Sequence, residues 1–117
     1  MNIEEIIIDY LNRQDVGLDA PTFGEIPERP PDEFYIVELI GGPKVNHINK
    51  STIAVKSHAK SRARAADLAY DVDNALLYGL IELNAVSGVY RNSVANFTDF
   101  KATNSYRYQG VYVVNHY

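Results

Sequence analysis

The 117-residue chain contains no cysteine, no tryptophan and a single methionine. Without cysteine there is no disulfide framework and no thiolate nucleophile, a composition that fits a reducing compartment. No apolar run reaches the roughly 18 residues that a membrane-spanning helix needs. The opening MNIEEIIIDYL carries acids where a secretory leader carries bases, so the expectation is a chain that is cytoplasmic when made. A basic excess is missing too: the net charge is −4. Binders of duplex DNA usually run strongly basic, because neutralising phosphates supplies most of their affinity.

What is present is a globular composition, 46% apolar and 22% charged, in a length that suits one domain with one core. Tyrosine stands out, with nine. Such rings either fill a sheet or line a surface that a partner later covers.

The apolar spacing predicts a helix over residues 3–13, with Asn2 as cap and Glu5 closing a box-like pattern. Pro21, Pro27, Pro30 and Pro31 then exclude helix. A short strand is expected at 16–20, followed by an extended arm carrying Glu25, Glu28, Asp32 and Glu33. FYIVELI (34–40) reads as a strand apolar on both faces. Gly41-Gly42-Pro43 breaks it, KVNHIN is a loop or hairpin tip, and 51–58 is the next strand. A helix over 61–83 follows, capped by Ser61, with Ala65, Leu68, Ala69, Val72, Leu76 and Leu80 in one stripe. Residues 86–97 and 106–116 are the last strands, separated by the turn-rich TDFKATNS. In the final strand Tyr106, Tyr108 and Tyr112 share a face. The expected fold is α+β: two helices packing an antiparallel-dominated sheet of four to five strands, in the order α-β-β-β-α-β-β, as one domain over 1–117. Two helices cover one sheet face, so apolar residues on the other face point to sheet curling or self-association.

Catalytic patterns are scarce. Gly41-Gly42-Pro43 lacks the spacing of a phosphate loop. Ser57 and His58 are neighbours on a strand and point to opposite faces. His47, His58 and His116 are scattered, without ligand spacing. Asp67 and Asp71 share a helix face and read as a solvated stripe. No enzyme, cofactor or metal site is expected.

The unusual feature is the start of the second helix. Lys60, Arg62 and Arg64 stand where the helix dipole favours acids, and Asp67, Asp71 and Asp73 come later. A local Arg64–Asp67 pair would offset this only weakly. The alternative is that these bases meet acids on another chain, with the arm residues Glu28, Asp32 and Glu33 as possible partners. Lys60, Arg62, Arg64, Glu28, Asp32, Glu33, Tyr106 and Tyr108 are therefore the interface candidates.

The order of features resembles the small tail terminator, or tail completion, proteins of long-tailed bacteriophages. The similarity runs through the first helix, PERPPDEFYIVELIGG, the junction STIAVKSHAKSRARAADLAYDVDNAL, and GVYRNSVANF with YRYQGVYVVNHY. That resemblance implies a virion protein that forms a ring, commonly a hexamer, at the head-proximal end of the tail. The ring would end polymerisation of the tail tube protein and meet the head connector. Genome DNA would pass through without sequence-specific binding. A head-to-tail connector or neck protein, and a small nucleic-acid-binding regulator using Lys60, Arg62 and Arg64, are the alternatives.

Overall fold

A computed structural model describes residues 2–42, 44–45, 48–96 and 105–117. The fold is α+β, as expected, and its sheet is mixed: one pair of strands is parallel and the other pairings are antiparallel. Helix α1 spans Ile3–Leu11 and α2 spans Arg62–Tyr78. The strands are β1 (Thr22–Phe23), β2 (Phe34–Gly41), β3 (Lys44–Val45), β4 (Ile48–Ala59), β5 (Val86–Asn96) and β6 (Tyr106–His116). The sheet order is β1-β2-β4-β6-β5, and β3 folds back on the start of β4. His47 and most of TDFKATNS lie outside the described residues.

Both predicted caps form. Asn2 accepts from the Glu5 N–H at 2.9 Å, and Ser61 accepts from the Arg64 N–H at 3.2 Å. Each satisfies one donor that the first helical turn leaves unpaired. The stripe Ala65, Leu68, Ala69, Val72 and Leu76 is buried against the sheet. Opposite it lie Tyr35 and Val37 of β2, Ile53 and Val55 of β4, and Tyr112 and Val114 of β6. Ile3, Ile7, Tyr10 and Leu11 of α1 complete this core.

Helix α1 ends at Leu11, two residues early, β4 starts at Ile48, three residues early, and three further stretches differ more from expectation. The strand expected at 16–20 is instead a 3-10 turn, Gln14–Val16, ending at Gly17 with φ 77°. Arg13 binds Asp15 through two hydrogen bonds of 3.0 and 2.6 Å, which stabilises that turn. Extended pairing begins later, at Thr22. There the Asn12 side chain imitates a strand, accepting from the Thr22 N–H at 2.8 Å and donating to its carbonyl at 2.9 Å. The second helix stops at Tyr78 rather than continuing to Leu83. Gly79 donates to the Ala75 carbonyl at 3.0 Å, and a separate 3-10 turn, Leu80–Glu82, follows. Finally, β3 is a short strand within the stretch read as a loop or hairpin tip. Gly42, with φ 135°, makes the bend into it, and a Cβ there would overlap the Lys50 carbonyl.

The other sheet face is also partly apolar. Phe34, Ile36, Ala54 and His58 are buried there. The Phe34 ring stacks on the His58 imidazole with centroids 4.5 Å apart, and Phe23 tilts against Phe34 at 6.4 Å. Farther along, Val111 and Val113 are half-buried, and Tyr90 is exposed.

Candidate functional site

The two sheet edges are treated differently. At the β2 edge, β1 pairs with Tyr35 and Ile36, and Glu4 of α1 accepts the Leu39 N–H at 3.0 Å. At the other edge, β5 runs for 11 residues and, among the described residues, pairs only with β6. Its register shifts between Val86 and Gly88 and again between Arg91 and Ser93. Such bulges twist an edge and limit open-ended strand addition. Residues 90–96 are exposed, including Tyr90 and Val94.

Behind this edge, Asp73 latches α2 to the sheet. It is a buried carboxylate that accepts from the Tyr112 hydroxyl at 2.7 Å and from Arg91 Nη1 at 3.0 Å. Burial, and then the bond to Asp73, push the Tyr112 hydroxyl far above the ordinary tyrosine range. The latch was not singled out from sequence. Its signal was present: Asp73 lies four residues after Ala69 and three before Leu76, in register with the apolar stripe.

The basic start of α2 resolves into separate roles. Arg64 is held within its own chain: Nε donates to Glu33 at 2.6 Å, while Nη2 reaches Glu33 and Asp19, both at 3.1 Å. These two carboxylates hold the guanidinium proton more tightly than in free arginine. The acid expected from another chain is therefore supplied to Arg64 by its own arm, which also brings negative charge to the N-terminal end of α2. Asp32, Glu33, Lys60, Ser61 and Arg64 line a recess there of about 470 Å³. Arg62 is exposed and has no ion pair among the described residues. Glu28 and Asp32 are exposed on the arm. Tyr106 and Tyr108 are half-buried and pack against the core. The tyrosines that solvent reaches most are others: Tyr70, Tyr78, Tyr90 and Tyr117.

At the far end of α2 lies a second cleft, about 680 Å³. Tyr10, Arg13, Asp15 and Gly17 line it from the α1 side. Asp71, Asn74, Ala75, Tyr78 and Glu82 line it from the α2 side. Arg13 lies over the Tyr10 ring at 5.5 Å from the centroid. Tyr78 is 74% exposed at the same cleft.

Two histidines bind serines. His58 Nδ1 lies 2.8 Å from Ser105 Oγ, and His116 Nε2 lies 2.7 Å from Ser51 Oγ. His58 and Ser105 are both buried, so solvent does not reach the pair. As expected, Ser57 and His58 lie on opposite sheet faces. Among the described residues no group of three or more His, Asp or Glu side chains is placed to hold a metal ion. No described helix is long and apolar enough to cross a membrane.

No protein-family model matches this chain, and no curated protein shows significant similarity to it.

Proposed function

We propose that this chain is a virion structural subunit, a tail terminator whose ring caps the tail tube and joins it to the head. The resemblance in feature order suggests the role. The observation that best supports an assembling subunit is the outer edge of β5, an 11-residue strand that pairs with no strand but β6 among the described residues, with Tyr90 59% exposed. A long open edge is a liability in a solitary domain, whereas a subunit can cover it in its assembly. Tyr70, Tyr78 and Tyr117, exposed elsewhere on the chain, are suited to contact surfaces. The net negative charge suits a ring that DNA traverses without adhering, because phosphates are repelled.

A nucleic-acid-binding role draws less support, since Glu33 and Asp19 already engage one of its three bases, Arg64. The proposal is tested by native mass spectrometry and negative-stain imaging, with and without tail tube protein. Rings, or capped tubes of limited length, are expected. A chain that neither forms rings nor caps tubes overturns the proposal. Capture by portal-side proteins in place of tube protein would reassign the chain to the neck.

A further inference from the structure

The cleft at the C-terminal end of α2 has the chemistry of a guanidinium receptor. Asp15, Asp71 and Glu82 line it against a single cation, Arg13. Arg13 already neutralises Asp15, while Asp71 and Glu82 have no ion pair among the described residues. The last carbonyls of α2 add the negative end of the helix dipole. Two aromatic faces are available. Tyr10 already carries a guanidinium on its ring. Tyr78, mostly exposed, is placed to carry a second. Burial, and then the charge of Glu82, raise the Tyr10 hydroxyl against the opposing charge of Arg13, so the negative charge of Glu82 is felt inside the cleft.

The matching cation stands on the same chain, at the opposite end of the helix. Arg62 is exposed in the first turn of α2, a turn that contains no acid. Nine residues separate Arg62 from Asp71, the nearest acid of the cleft, which is roughly 13 Å along α2 and half a turn around it, and Glu82 lies beyond the helix end. With Arg62 on the opposite face of the helix from Asp71, it does not reach its own cleft, so the charges can meet only between molecules. We propose that this cleft receives Arg62 of a second copy, joining subunits head to tail through the two ends of α2. Contact between two different patches is heterologous, the type that closes into a ring when its rotation permits. Arginine suits the site better than lysine, because its planar group can stack on Tyr78 while binding a carboxylate. The inference rests on the self-association part of the proposed function and names the contact.

The test is a charge swap read by analytical ultracentrifugation at low and high salt. The proteins are wild type, Arg62→Glu, Asp71→Arg/Glu82→Arg, and the variant carrying all three changes. Wild-type association is expected to weaken as salt rises. Each reversal alone should weaken it at least about tenfold, and the combined variant should recover most of the loss. Arg62→Glu should also raise the melting temperature of the monomer, since an acid then meets the helix N-terminus. Misfolding would lower that temperature, so the two effects separate.

Because the chain has no native cysteine, an Arg62→Cys copy mixed with a Glu82→Cys copy gives a second readout. A short bismaleimide should link the two into a heterodimer, and an Arg62→Cys copy mixed with a Glu5→Cys copy should stay unlinked. Failure of the swap to rescue, no link between Arg62→Cys and Glu82→Cys, or a wild type that stays monomeric at high concentration in low salt overturns this contact. Tubes still capped by Arg62→Glu would sink the contact and leave the tail-terminator reading standing. Swap-dependent association with no tube capping would do the reverse.

Discussion

Replacing Asp73 with alanine tests how the open edge is held to the helix layer. The carboxylate accepts a 2.7 Å bond from Tyr112 and a 3.0 Å bond from Arg91. Tyr112 is 1% exposed, so alanine would leave its hydroxyl buried without an acceptor. A stranded buried polar group costs about 1–3 kcal/mol, and the lost bond was charge-assisted. The Arg91 side chain is 52% exposed, so its pair adds less than about 1 kcal/mol. Removing a buried carboxylate also relieves its desolvation, which offsets part of the loss. The expected net is about 2–3 kcal/mol, or roughly 10 °C in melting temperature for a domain of this size. Tyr112→Phe removes the hydroxyl that would otherwise be stranded. In the double variant the two costs should therefore fall short of additive by about 1 kcal/mol or more. Urea unfolding at a concentration where the chain is monomeric reads each value. An Asp73→Ala variant within about 0.5 kcal/mol of wild type, or a strictly additive pair, would refute the latch.

Acid should destabilise the fold through His58. Burial first, then the charges of Arg107 and Lys56, push its imidazole down to about 4. The unfolded chain titrates near 6.5 and so takes the proton first. This contribution to stability is complete above pH 6.5 and declines as pH falls towards 4, by at most about 3 kcal/mol. A His58→Phe variant should lose stability less steeply than wild type across that window, and parallel curves would contradict the reading. Arg64→Ala should loosen the proline arm, so a Glu-specific protease should cut faster at Glu25 and Glu28 while circular dichroism stays native. Unchanged cleavage would show that the arm does not depend on this anchor. Gly110→Ala should cost about 1–3 kcal/mol by thermal melt, because its Cβ would lie 2.6 Å from the buried Tyr112 ring. A neutral variant would mean that the ring can move.

Elements whose physics is local were legible in the sequence. Asn2 and Ser61 satisfy donors within their own first turn, so caps follow from residue type and position. The alanine-leucine stripe and the alternation in β4 and β6 follow from helical and strand periodicity. Some local signals were misread, and elements that depend on distant partners were not legible. The strand expected at 16–20 yielded to Gly17 and the Arg13–Asp15 pair, and extended structure began where Asn12 could bind Thr22. The sheet is mixed because β1 is held parallel to β2, an arrangement set by the arm's return path.

The candidate contact residues divide in the same way. The sequence by itself determined that bases stand at the start of α2 and acids further along, because charge order along a helix is fixed by residue order. Only the tertiary structure decided what each charge meets. The arm brings Glu33 from 31 positions away to Arg64, and Asp19 from 45. Asp73 lies in the core register and finds Tyr112, 39 positions on. Arg62, two residues before Arg64 and so on another side of the helix, is left facing solvent. Local chemistry sets which groups are charged, and three-dimensional packing sets which are neutralised within the chain and which stay exposed.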